Sequence, residues 1–195
     1  MPKVGMQPIR RKQLINATIQ CIYRYGLLGT TVKKVSEEAG VSTGIINHYF
    51  GSKDEMLEAT MREILRRHQQ AGIENLRDCD TPESRIRAII DLNFSTIQTD
   101  PATVCTWLAF WAQAMHIPEL SRLQRVNSRR LYTNLLFSLK AMLPDDQAVL
   151  AAEGLAALID GLWLRGAFKK QGIDAERAQQ VVWSFYQSQI KSSKN

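Results

Sequence analysis

Cysteine is scarce. Three residues, at 21, 79 and 105, are an odd count at separations that suit no disulfide framework. They read as reduced thiols of a cytoplasmic protein, with Cys21 and Cys105 expected to pack as small hydrophobes. Long apolar runs are lacking too. The opening "MPKVGMQPIRRKQ" carries charge but no apolar segment of signal-peptide length. No window approaches the roughly 20 apolar residues of a membrane span. Histidine is limited to His48, His68 and His116, which share no metal-ligand spacing with cysteine or carboxylates. HExxH, CxxC, a glycine-rich phosphate loop and a serine-nucleophile motif are all missing. These absences argue against an enzyme and leave no catalytic, cofactor or metal-binding residue to name.

What is present is a helical period along nearly the whole chain, with no run of alternating strands. The charge is uneven. Residues 1–70 hold 11 Lys+Arg against 6 Asp+Glu, whereas residues 71–195 hold 14 against 13. Nearly all of the +6 net charge therefore sits in the first third. A solvated basic surface explains an excess of this size as well as polyanion attraction does, until a motif decides.

The pattern predicts a first helix over 9–25 with Gly26 just past its end. Thr30 or Thr31 then caps "TVKKVSEEA", Gly40 breaks it, and Ser42 caps "TGIINHYF". Ser52 and Glu55 have capping-box spacing ahead of a helix from Lys53 to about Gln70. Further helices are expected over 82–99, from Pro101 to His116, and from Pro118 until Pro144 stops the chain. Asp145 should cap a helix to Phe168, and Asp174 the last one, to Ile190. The fold class is all-α. The expected division is a helix-turn-helix domain over 1–52 and a ligand-binding and dimerisation domain over 53–195, joined through a connecting helix at 53–70.

Two short helices joined by "AGVS" have the spacing of a helix-turn-helix, whose second helix enters the major groove. Gly40 supplies the positive φ of the turn. Ser42, Thr43 and the free N–H groups that start the second helix suit phosphate, and Gly44 lets the backbone approach DNA closely. Asn47, His48 and Tyr49 are then available for the groove. Thr31, Lys33, Lys34 and Lys53 flank it as candidate phosphate contacts.

Gly26, Thr31, Ala39-Gly40-Val41-Ser42, Gly44, Phe50, Lys53 and Leu57 in this register resemble the amino-terminal domain of the TetR family of transcriptional regulators. That resemblance implies an all-helical homodimer that binds operator DNA through the head and a small ligand through the body. The family usually has Tyr where this chain has Asn47 and often His where it has Tyr49. An Asn there is placed to read a base edge, as Asn commonly does for adenine. "GVSTGIINHYF", "MLEATMREI", "WLAFWAQAMHIPELSRLQRVNSRRL" and "GLAALIDGLWLRGA" further resemble a choline-responsive branch of the family that represses glycine betaine synthesis and choline transport genes. A TetR-type repressor answering to another small apolar or cationic ligand is the competing reading.

Trp107, Phe110, Trp111 and Met115 recur at helical spacing. Plain core explains such a stripe. So does an aromatic cage, because a quaternary ammonium is best held by ring faces, at roughly 0.5–2 kcal/mol per ring. The resemblance points to choline or a similar quaternary ammonium as effector, with Asp160 and Trp163 completing the site by a carboxylate and a fourth ring. An Asp-Gly-Leu at this place is frequent in TetR-like proteins, so a role for Asp160 in the fold alone stays open. Apolar stripes at Leu155, Leu158, Ile159, Leu162 and Gly166, and at Ala178, Val181, Val182, Phe185 and Tyr186, are expected to pair with their copies in a four-helix dimer interface.

Overall fold

The computed structural model describes residues 6–193, and among them ten helices and no strand. Residues 1–5 of the expected first domain and 194–195 of the second lie outside the described residues. The chain divides into two compact units, residues 1–66 with 101–123 and residues 67–100 with 124–195.

The first unit holds α1 (Met6–Gly29), α2 (Val32–Ala39), α3 (Thr43–Phe50), the first half of α4 (Lys53–Arg77) and α7 (Pro101–Ala114). Leu14, Ile15, Cys21 and Ile22 of α1 are buried, as are Val35 and Ala39 of α2 and Ile46 and Phe50 of α3. Burying a Leu, Ile or Phe side chain contributes about 1.5–3 kcal/mol, so this small cluster holds α2 and α3, each of 8 residues and too short to persist alone, against α1. α1 also packs along α7.

α1 does not stop cleanly at Gly26. The backbone there takes φ 66 and ψ 173 and then makes one more turn to Gly29. That region is open almost only to glycine. Gly26→Ala is therefore expected to cost about 1–3 kcal/mol, read as a lower denaturation midpoint. An unchanged midpoint would show that the kink relaxes without strain.

Thr31, not Thr30, caps α2, accepting the Lys34 N–H at 3.2 Å. The Thr30 hydroxyl instead donates back to the Gly26 carbonyl at 2.8 Å. Ser52 caps α4 by accepting the Glu55 N–H at 3.2 Å. The Glu55 carboxylate binds the Ser52 hydroxyl and presses on Gly51, where an added Cβ would meet it at 2.9 Å. α4 runs beyond the expected Gln70 to Arg77.

The second unit carries the end of α4 with α5 (Pro82–Asn93), α6 (Thr96–Thr99), most of α8 (Pro118–Leu139), α9 (Asp145–Ala167) and α10 (Ala175–Ser192). The single helix expected over 82–99 is broken. Phe94 leaves the helix at φ −111, ψ 21 with its ring buried, and Ser95 starts α6 from an extended backbone. Asn93 donates its amide to the Ile89 carbonyl at 2.8 Å, the local competition with helix bonding that Asn and Ser bring. α8 ends at Leu139, short of Pro144. Pro144 holds the cap position of α9, and Asp145 is its first helical residue, pairing with Lys140 at 3.3 Å and suiting the helix dipole. Asp174 caps α10, accepting the Arg177 N–H at 3.0 Å.

α9 and α10 pack closely. An added Cβ at Gly154 would come within 2.9 Å of the Phe185 ring, and one at Gly166 within 2.9 Å of Ile173. Leu155, Ile159 and Gly166, with Ala178, Val182 and Tyr186, are already buried within the single chain. The deepest members of both stripes thus serve the monomer core, and Leu158, Leu162, Val181 and Phe185, still half-exposed, remain for a partner. By length and composition α9 would also suffice to cross a membrane, at a mean hydropathy of 1.4, nearer a span than the sequence reading allowed. Glu153, Asp160 and Arg165 interrupt it, and its buried face packs as a core helix.

Candidate nucleic-acid interface and ligand site

The turn between α2 and α3 follows from Gly40, whose φ 64 and ψ 38 are left-handed. Its N–H donates to the Glu37 carbonyl at 3.1 Å, and the Val41 N–H reaches back to Ser36 at 2.9 Å. These paired bonds close the end of α2 and turn the chain sharply into α3. The same end is braced from α1, where the Gln13 amide donates to the Ala39 carbonyl at 2.8 Å and Arg24 pairs with Glu38. The Arg11 guanidinium lies over the Phe50 ring at 5.3 Å, tying α1 to α3. Nothing in the sequence pattern draws the eye to Arg11, Gln13 or Arg24. Only the packed head shows that Gln13 and Arg24 brace α2 and that Arg11 reaches α3.

On α3, Ser42, Thr43, Gly44, Asn47 and His48 are exposed, and Tyr49 is half-buried against His48 and Phe50. Ser42 has the extended backbone of a cap but its hydroxyl makes no capping bond. Among the described residues, the side chains of Thr43 and Asn47 have no partner within the chain. The start of α3 thus offers unspent donors and an exposed Asn one turn further on.

Of the four flanking residues, Lys33 is exposed and Thr31 is engaged as a cap. The two other lysines have internal work. Lys34 donates to the Gly29 carbonyl at 2.9 Å and sits 4.1 Å from the Tyr25 ring centre. Lys53 donates to the Leu27 carbonyl at 3.3 Å. Both ammoniums thus clamp the carbonyls of the turn after the Gly26 kink, as cations do at a helix end. An ammonium has three hydrogens, so each keeps donors beyond that bond.

The expected ligand residues fall in different places. Trp107 and Phe110 are buried, and Trp111 is half-buried. The Trp107 ring lies 5.8 Å from Phe110 and 6.1 Å from Trp111, so three rings cluster on α7. Met115 does not extend this face, because α7 ends at Ala114 and Met115 beyond it is 80% exposed. These four belong to the first unit. Asp160 and Trp163 lie on α9 in the second. Trp163 is buried. Asp160 is reached by solvent, yet burial among surrounding atoms raises its carboxyl pKa above the ordinary value.

The first unit also contains a cavity of about 310 Å³. Of the expected ligand residues, Phe110 alone lines it. Its walls come from the end of α1, the first turns of α4, the far half of α7 and the start of α8. Cys21 is fully buried, and burial pushes its thiol pKa up, so it stays an unreactive packed group. Cys105 is only half-buried. His68 is held neutral by burial, its pKa lowered, with Nδ1 unpaired. Among the described residues, no group of three His, Cys, Asp or Glu is placed to hold a metal.

Comparison with known proteins bears on both halves of the chain. A family model described as "Bacterial regulatory proteins, tetR family" matches residues 14–60. Another, "BetI-type transcriptional repressor, C-terminal", matches residues 82–191. The HTH-type transcriptional regulator BetI 1 of Chromohalobacter salexigens is 50% identical over 200 residues, covering 99% of this chain and 96% of its own. The regulator BetI of Vibrio campbellii is 52% identical over 192 residues, 97% of this chain and 96% of its own. A transcriptional regulator from Saccharomonospora viridis, solved in complex with choline, superposes with a TM-score of 0.82 at 20% identity. It covers 92% of this chain and 96% of its own, and at that identity it shows the fold alone.

Proposed function

The chain belongs to the TetR family of bacterial regulators, with a BetI-type repressor body, and from that premise we propose a choline-responsive repressor of glycine betaine synthesis and choline transport genes. Regulators of this family bind operator DNA and small molecules and act as dimers. The observation that carries the reading is identity of about half, end to end, to regulators named BetI. The domain assignment follows the sequence: residues 1–52 for DNA, 53–195 for ligand and dimerisation. The protein works in the cytoplasm, where its operator lies.

In this reading α3 enters the major groove. Ser42, Thr43 and the Gly44 backbone take phosphate with Lys33, and Asn47, His48 and Tyr49 face the bases and groove walls. Lys34 and Lys53 add charge while clamping the kinked turn. The rings of Trp107, Phe110 and Trp111 in the first unit supply the faces that a quaternary ammonium needs; on α9 of the second unit, Asp160 and Trp163 are candidates in their own right for a carboxylate and a ring. The choline found in the Saccharomonospora viridis regulator makes the ligand chemistry reasonable for this fold. Met115, exposed beyond α7, is the weakest member of the set.

The decisive experiment is a mobility-shift titration on the upstream DNA of its own operon, with and without choline. Specific retardation that choline reverses is the expected result; retardation indifferent to choline sinks the proposed effector. Calorimetry on Trp111→Ala should show choline affinity lowered by about tenfold, one ring face removed, with operator affinity kept. Asp160 gives a sharper check. Its carboxyl pKa is raised, so on acidification it loses its negative charge at a higher pH than an ordinary aspartate. Choline affinity should therefore weaken as pH falls through that raised value, and Asp160→Asn should bind weakly with no such dependence. A parallel pH profile in both proteins removes Asp160 from the site.

A further inference from the structure

We propose that the first unit carries a second ligand site, for an amphipathic organic cation, in the cavity of about 310 Å³ walled by α1, α4, α7 and the start of α8. Its size lies at the lower end of the range of small-molecule pockets. Much of the lining is apolar: Leu57 and Met61 from α4, Phe110 from α7 and Leu120 from α8. Of the uncharged polar side chains in the lining, Thr60 and Thr106 spend their hydroxyls on their own helices, donating to the Met56 and Ala102 carbonyls at 2.8 Å, which leaves Gln113. Most of the uncharged lining therefore asks for hydrocarbon.

Every charged residue of the lining is acidic. Asp54, Glu55, Glu58 and Glu119 contribute to it, and no lysine or arginine does. Glu58 is paired with Arg62, the Nε lying at 2.9 Å, but among the described residues Asp54 and Glu119 have no basic partner. An anionic head group would meet four carboxylates of which Glu58 alone is paired, and a neutral one would leave their field unused. An apolar body with one positive charge answers both ends. Choline is a poor fit because its small body would leave the apolar wall unfilled. The cavity also reaches Leu27, whose carbonyl holds the Lys53 ammonium, so its occupant touches the segment that sets the head on α4.

The test is calorimetry of the full chain at low salt, where exposed carboxylates are least screened, with hexyltrimethylammonium as the probe. One ion should bind per chain, at least tenfold tighter than hexanol, and a hundredfold excess of choline should not displace it. Ala109→Phe, which puts a ring into the cavity, should lower affinity tenfold or more while choline binding persists. Glu119→Gln, an exposed and structurally mild change, should lower it about threefold, and it tests the charge even if Ala109→Phe fails to fold. Equal binding of hexanol, undiminished binding to Glu119→Gln, or mole-for-mole displacement by choline each overturns the proposal. Loss of choline binding with hexyltrimethylammonium binding intact would instead strike the choline reading and leave this site standing.

Discussion

Operator affinity is expected to fall about a thousandfold between about 50 and about 200 mM salt, because neutralising six or more phosphates releases that many counterions. A dimer that presents Lys33, the start of α3, and the spare donors of Lys34 and Lys53 twice over reaches that number. The basic excess of residues 1–70 has the sign this mechanism needs. Side chains should separate by role. Lys33→Ala removes an exposed ammonium with no partner in the head, so it should weaken all sequences alike and flatten the salt slope by about one unit for each phosphate left unneutralised. Asn47→Ala should cost about 1–3 kcal/mol against the operator and much less against random DNA, since a bidentate base contact carries discrimination. Equal losses on both DNAs would remove Asn47 from base reading. Lys53→Ala is the less clean variant. It also frees the Leu27 carbonyl at 3.3 Å, so part of its effect must be counted as a looser head.

The head was legible because its signals are local. Gly26 and Gly40 take positive φ, Thr31 caps α2, and the Gly40 turn delivers α3 with Asn47 exposed. Each is decided within a few residues by sterics or one hydrogen bond. Misreadings came where two local signals compete or where packing decides. Asn93 and Ser95 break a helix whose apolar period continues through Phe94, and Pro144 takes the cap that Asp145 was expected to hold. Met115 keeps the spacing of the ring stripe but falls past the last helical residue, so periodicity alone overextended that face. The double duty of Lys34 and Lys53 was invisible for a different reason. Their carbonyl partners lie 5 and 26 residues away, at a kink whose geometry no spacing encodes. The cavity of the first unit is harder still to read, being assembled from α1, α4, α7 and the start of α8.

Choline is expected to lower operator affinity by about 5–150-fold, the usual span of a coupling free energy of about 1–3 kcal/mol. A ligand that bound both conformations equally would shift nothing, so the effect requires choline to prefer a state that DNA does not. α4 is the element through which this preference can act. It is one unbroken helix of 25 residues that begins at Lys53, on the clamp of the head, and contributes to both units of the chain. The operator tolerates little movement, because two recognition helices of a dimer must sit about one turn of DNA apart, roughly 34–36 Å. A small change in where α4 holds one head therefore takes its α3 out of register. Coupling is reciprocal: operator DNA must weaken choline binding by the same factor. Calorimetry with free protein and with operator-saturated protein measures that factor directly. Equal choline affinities in the two titrations would mean that choline does not act through operator affinity, and derepression would then have to come from an added partner rather than from movement of the head.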